Sequence, residues 1–231
     1  MAKIIKKQTL QREKKITTHG DMKQYFDSSL GFGEHKPLAI DLLKRTIKVL
    51  EEYNINYCLI SGTLLGFIRH SDFIPWDDDI DLLVDDSIFE KMSHISKSNS
   101  EINLFYKNKT DSVKVCFESK GFDLPKNCLA DSWRKKALRS GARYSWPFID
   151  LFAYESADKL KFFAKEWKSN EFLPFQKTNF LGIDTFIPKN PHYFLKNNYG
   201  LNYMTELKSS SHSHKREQGI SEIRLMKNEK L

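Results

Sequence analysis

The chain is poor in sulfur. Its three cysteines, Cys58, Cys116 and Cys128, are odd in number and far apart. They form no CxxC pair and no disulfide framework, so reduced, buried thiols are expected. Long apolar runs are missing too: no stretch approaches the ~18 to 20 apolar residues that span a bilayer. The N-terminus, MAKIIKKQTLQREKK, is basic but lacks the apolar segment that follows in a signal peptide. A cytoplasmic protein is expected. Acidic charge is the scarcer sign, with 30 Asp and Glu against 37 Lys and Arg, a net charge of +7. What is plentiful is apolar residues, 40% of the chain, 13% of it aromatic, enough for a sizeable core.

The excess of positive charge is unevenly placed. Lys3, Lys6, Lys7, Arg12, Lys14 and Lys15 lie near the start, with Glu13 between them. Lys126, Arg134, Lys135, Lys136, Arg139 and Arg143 form a second run, with Asp131 the one acid in it. Such patches attract polyanions, anionic lipid surfaces and phosphorylated molecules. The first run reads as a solvated tail. The second lies among Trp133, Tyr144 and Trp146, which suits a phosphate- or glycan-facing surface, with a merely solvated face as the other reading.

Residues 1–33 read as a basic, loosely ordered segment, 34–207 as one domain, and 208–231 as a polar, mobile tail. HKPLAIDLLKRTIKVLEEYN reads as a helix, with Pro37 in its first turn and Leu38, Leu42, Leu43, Ile47 and Leu50 on one face. INYCLIS reads as a buried strand, GTLLGFIRH as a turn and short helix, and FIPWDDDIDLLV as a second strand. SIFEKMSHISKS is expected as a helix, and NLFYKN, SVKVCFES and WPFIDLFAYE as strands. KLKFFAKEWKSNEF reads as helical, TNFLGIDTFIP as a hairpin, and PHYFLKNNYG as a helix closed by Gly200. Intermixed strands and helices give an α+β class, a mixed sheet flanked by helices.

One stretch conflicts with the bulk charge. Asp77, Asp78, Asp79 and Asp81 fall within five positions of a basic chain, just before an apolar run. Strand alternation puts Asp77, Asp79 and Asp81 on one face and the mostly apolar Trp76, Asp78, Ile80, Leu82 and Val84 on the other. Asp79 and Asp81 then lie about 7 Å apart along the strand, close enough for their carboxylates to lean onto one or two divalent cations. Oxygen donors without imidazole or thiolate favour magnesium or manganese. A calcium-binding EF-hand loop is excluded, since its required glycine and glutamate positions hold Leu82 and Ile88. A solvated acidic turn and a helix start remain as weaker readings.

The strand, the Gly-Thr turn, the short helix and then the Asp-hydrophobic-Asp strand together resemble the nucleotidyltransferase-fold superfamily. Within it, SGTLLGFIRHSDFIPWDDDIDLLV (61–84), FIDLFAYE (148–155) and FIPKNPHYFLKNNYGLNYMT (186–205) resemble the LicD family of phosphocholine transferases, which includes the fukutin-related proteins. The resemblance implies Gly62 and Thr63 at a phosphate-binding turn and Asp79 and Asp81 as the metal-binding pair. It implies Asp150 as a third acid, either a ligand or a general base, with Asp77 supporting the metal and Asp78 structural. Arg69 suits a phosphate or a surface ion pair with Asp72 or Asp77; Lys114 is a weaker substrate-binding candidate of the same kind. His192, His212 and His214 have no ligand spacing to the acids.

The function implied is magnesium- or manganese-dependent transfer of a phospho-alcohol, phosphocholine from CDP-choline first among them, onto a sugar hydroxyl of a cell-surface glycan. Phosphoethanolamine, glycerol phosphate or ribitol phosphate transfer, and transfer of NMP to a small molecule, are the alternatives within enzymes. The expected partners are a CDP-alcohol donor and a glycan or lipid-linked glycan acceptor, with peripheral contact to anionic membrane at its inner face and no nucleic acid. A non-catalytic binder of nucleic acid or anionic membrane is the rival of a different class, and the acidic cluster argues against it because it repels polyanions.

Overall fold

The structure, a computed structural model, describes residues 31–75, 77, 79–99, 101–107, 112–117, 147–156, 158–204, 206–208 and 222–224. Both basic runs, Cys128, Trp76, Asp78, His212 and His214 lie outside the described residues.

Packing begins at Phe32, which is buried against Phe73 with ring centroids 4.9 Å apart. Helix α1 (Lys36–Glu52) follows, with Pro37 in its first turn. Its buried stripe is Ala39, Leu42, Leu43, Thr46, Ile47, Val49 and Leu50, the apolar face read from the 3.6-residue period. Asn54 reverses the chain at φ 50°, a left-handed conformation that asparagine tolerates. Strand β1 (Tyr57–Leu59), helix α2 (Ser61–His70), strand β2 (Ile80–Asp85) and helix α3 (Ile88–Ser98) come next. Strands β3 (Asn103–Lys107), β4 (Ser112–Cys116) and β5 (Phe148–Ser156) complete the centre of the main sheet, in the order β1-β2-β5-β4-β3. The pair β2–β5 is parallel and the other neighbours are antiparallel, so the sheet is mixed and the fold is α+β. Central strands are covered on both faces, which explains why Ile80, Leu82, Leu83 and Val84 are all buried rather than alternating. Cys58 and Cys116 are buried in this sheet, and neither is in a disulfide.

The second strand is shorter than the sequence reading. It begins at Ile80, so Asp77 and Asp79 precede it and do not share a strand face with Asp81. The segment KLKFFAKEWKSNEF also departs from expectation. It is a hairpin, β6 (Lys159–Phe162) and β7 (Lys165–Lys168), ending in one helical turn, α4 (Ser169–Phe172). Its true period is two: Leu160, Phe162 and Trp167 are buried while Lys159, Lys161 and Lys168 are exposed. Phe163 and Ala164 make the reversal at φ 54° and 55°. Packing of Phe162, Trp167 and Phe172 against Phe194 overrides the helix preference of the lysines.

The hairpin expected at 178–188 is β8 (Gln176–Phe180) and β9 (Ile183–Ile187), turning through Gly182 at φ 81°. Helix α5 (Pro191–Tyr199) starts with an Asn190 side chain accepting from the Tyr193 amide, and Gly200 ends it at φ 94°. Strands β10 (Glu206–Lys208) and β11 (Glu222–Arg224) pair with each other, the latter within the segment read as a tail.

Candidate active site

Strand β1 passes directly into α2. Ile60 is extended, Ser61 turns at φ 48°, and the helix is under way at Gly62. Because β1 runs antiparallel to β2, this helix start meets the first residues of β2. Two bonds lock them together. The Gly62 N–H donates to Asp81 Oδ2 at 3.1 Å, and the Asp81 N–H donates to Thr63 Oγ1 at 2.8 Å. The helix N-terminus also favours the negative charge it faces. Thr63 is buried, its hydroxyl engaged by the Asp81 backbone.

Gly62 has a steric reason to be glycine. A Cβ there would lie 2.4 Å from Asp77 Oδ2 and 3.6 Å from Asp81 Oδ2. Two carboxylates therefore cover the place a side chain would fill.

Sheet register supplies the third acid. Asp81 on β2 is the parallel partner of Asp150 on β5, and Lys114 on β4 is the antiparallel partner of Asp150. The three side chains form one row across three adjacent strands. Oxygens of Asp79, Asp81 and Asp150 all lie within 4.8 Å of one another. Asp150, which has no partner nearby in sequence, has one across the sheet: Lys114 Nζ donates to its Oδ1 at 2.6 Å and Oδ2 at 2.8 Å. That lysine side chain is 3% exposed, and its ammonium lies 3.8 Å from the centroid of the Phe148 ring.

Crowded acids leave a clear electrostatic mark. Burial and then the charge of Asp150 push the Asp81 carboxyl up to about 7, against the opposing pull of the Gly62 N–H and Lys114. Carboxylates this close, with hard oxygens and no imidazole or thiolate in the group, fit a divalent cation of the magnesium type.

Helix α5 closes one side of the site. Tyr199, at its last turn, has its hydroxyl pushed well above the ordinary range by burial and by Asp81, Asp77 and Asp79, so it is a neutral phenol beside three acids. Arg69, at the end of α2, donates from Nη1 to the Tyr203 carbonyl at 3.0 Å and from Nε to His70 Nε2 at 2.9 Å. Burial pulls its pKa down to about 10, while Tyr199 and Asp77 oppose that, so it stays cationic at neutral pH. Asp72 pairs with Lys36.

The structure thus brings together Gly62, Thr63, Asp77, Asp79, Asp81, Lys114 and Asp150, with Arg69 close enough to feel the charges of Asp77 and Tyr199. The sequence reading missed Tyr199. It lies inside the block 186–205, but nothing in local periodicity says that its hydroxyl comes under the charge of acids more than a hundred residues earlier.

Comparison with known proteins fits this geometry. The family model of the LicD/FKTN/FKRP nucleotidyltransferase domain matches residues 54–190, more than half of the chain. The lipopolysaccharide cholinephosphotransferase LicD of Haemophilus influenzae is 47% identical over 49 residues, 21% of this chain and 18% of that protein. The human ribitol 5-phosphate transferase FKRP is 44% identical over 50 residues, 20% of this chain and 10% of its own length. An uncharacterized protein of Rickettsia typhi is 32% identical over 106 residues, 37% of this chain and 34% of the relative. The matches thus span between 10% and 34% of the length of these curated relatives. The family match and the site geometry coincide, and the chain belongs to the LicD/FKTN/FKRP nucleotidyltransferase-domain family.

Proposed function

We propose that the chain is a magnesium- or manganese-dependent transferase that moves a phospho-alcohol group from a nucleotide-activated donor to a sugar hydroxyl of a cell-surface glycan. The observation that carries this reading is the carboxylate triad, Asp79, Asp81 and Asp150, with oxygens within 4.8 Å of one another beside the glycine start of α2. These three residues would hold the cation, with Asp77 supporting them. When bound, the cation would neutralise donor phosphate charge and polarise the phosphorus toward attack.

Phosphocholine is the group that the cholinephosphotransferase name favours, for which CDP-choline is the proposed donor, and ribitol phosphate is the group that the FKRP name favours. With CDP-choline, the acceptor hydroxyl oxygen forms a bond to the phosphorus nearer choline. The bond from that phosphorus to the bridging oxygen breaks, and CMP leaves with the electron pair. The hydroxyl proton passes to a carboxylate of the site. Little covalent work is asked of the protein, so positioning and charge do most of it. Gly62 lets the carboxylates of Asp77 and Asp81 approach the start of α2, and Thr63 serves by fixing Asp81. Arg69 supplies a planar cation for a phosphate oxygen. Tyr199 offers a neutral hydrogen-bond donor. By charge alone, the basic run with Arg134, Lys135 and Lys136, which lies outside the described residues, is assigned to binding the acceptor or its lipid-linked phosphate. Among the described residues no helix is long and apolar enough to cross a membrane.

The test is CMP release from a panel of CDP-alcohols with magnesium, with and without candidate glycans. Release should depend on both the acceptor and the ion. Asp79→Asn and Asp81→Asn should each abolish it while leaving the fold intact. Turnover like wild type in both variants would remove the triad from the mechanism.

A further inference from the structure

The least expected residue of the site is Lys114. It sits in β4 between buried Val113 and Val115, in a strand buried along its whole length. A lysine is almost never fully buried unless paired, and a buried ion pair is weak support for stability compared with apolar packing of the same volume. Filling this slot would have needed only another valine or leucine. Instead both oxygens of Asp150 take hydrogen bonds from one ammonium, which the Phe148 ring holds from a second side. Asp150 is also within reach of Asp79 and Asp81. Any cation coordinated by Asp150 would stand beside that ammonium and be repelled by it, in a setting where water screens little.

Resting on the metal site put forward above, we propose that Lys114 is the built-in counter-ion of the triad. It occupies Asp150 when no cation is bound, cancels one of the three negative charges, and weakens the hold of the site on a free divalent ion. The chain can then fold without metal, and the ion binds firmly only when donor phosphates add their charge. Lys114 is on this reading a positioning residue that acts on the cation through Asp150 and through its own charge.

Manganese chloride is the probe, titrated into the full-length, nucleotide-free chain and followed by paramagnetic resonance of the free ion. Lys114→Met should tighten manganese binding by at least about tenfold, because a repelling charge is gone. The same variant should melt lower than wild type without the ion and gain more from saturating manganese than wild type does. Asp150→Asn paired with Lys114→Met leaves no buried charge stranded and guards against a variant that fails to fold. That double variant should bind manganese more tightly than Asp150→Asn alone. Unchanged or weaker binding in Lys114→Met, or a double variant no tighter than Asp150→Asn, would make Lys114 a structural filler. These readouts use no donor or acceptor, so they are separate from a failure of the transferase reading. A wild-type chain that binds no manganese even with CDP-choline present would overturn both.

Discussion

Asp81→Asn should make the metal-free protein more stable at neutral pH, although it removes a residue central to the proposed chemistry. The carboxyl of Asp81 is raised from 3.8 to about 7, by burial first and by Asp150 second. An acid whose pKa is higher folded than unfolded binds its proton more tightly in the native state. Below the unfolded value both states are protonated and no penalty exists. Between the two values the native state holds the extra proton, so stability falls as pH rises, and above about 7 the full penalty is present. A separation of this size corresponds to roughly 4 kcal/mol. For a chain of this length that is roughly 10 °C in melting temperature.

Asparagine keeps the oxygen that accepts from the Gly62 N–H and removes the charge. The assay is thermal unfolding of chelator-treated wild type and variant at pH 8 and pH 4. The variant should melt higher at pH 8, and the gap should close toward pH 4. Excess magnesium should raise wild type by mass action and leave the variant nearly unmoved, so the order narrows or reverses. An Asp81→Asn protein that melts lower than wild type at pH 8 without metal would refute the account of uncompensated charge.

Gly62→Ala puts a methyl group where Asp77 Oδ2 now lies. Asp77 can rotate away, so the melting temperature should change little while magnesium affinity and turnover fall, roughly 10- to 100-fold for a displaced supporting residue; unchanged turnover would leave Asp77 without a role. Asp150→Asn separates ligand from base: held at both oxygens by Lys114, Asp150 is expected to act as a ligand, so calorimetry should show weaker magnesium binding and high magnesium should restore part of the rate. A loss of at least ~10²-fold in kcat with magnesium affinity intact would mark it as the base instead. Tyr199→Phe should lower donor kcat/KM roughly tenfold or more, the worth of a hydrogen bond to a charged group, with the melting temperature nearly unchanged; equal kinetics would confine Tyr199 to packing.

Three carboxylates were legible in the sequence, two of them because they break an apolar pattern. Asp81 interrupts the apolar run of Ile80, Leu82, Leu83 and Val84, all core, and Asp150 does the same in FIDLFAY. Asp79 was legible only by its spacing to Asp81. Helix α1 and the hairpin at 176–187 were equally open, since a long apolar stripe and a glycine turn are local signals. The hairpin at 159–168 was not, because lysine-rich segments suit a helix locally and only the aromatic cluster around Phe194 decides otherwise. Lys114 was noticed for its charge, but its pairing with Asp150 depends on the register of β4 against β5, a non-local fact. Tyr199 was hidden for the same reason: α5 comes late in the chain, and what it covers is set by tertiary packing.

The spacing Asp79-Ile80-Asp81 works for a different physical reason than strand alternation suggests. Two aspartates on one strand face stand about 7 Å apart along the chain, which is wide for a shared ion. Here the strand starts between them. Ile80 enters the core and is fully buried, Asp81 is fixed by the start of α2, and Asp79 belongs to the preceding loop. Leaving the strand frees Asp79 from the pleat and lets its oxygen come within 4.8 Å of the other two. Asp150 is fixed as well, by Lys114. The triad therefore combines two acids anchored in the sheet with one carried by a loop. Magnesium demands near-ideal octahedral geometry, which three rigidly pre-set side chains would rarely match. An acid on a loop beside two held by the sheet could approach that geometry, were an ion bound, without any shift of the sheet.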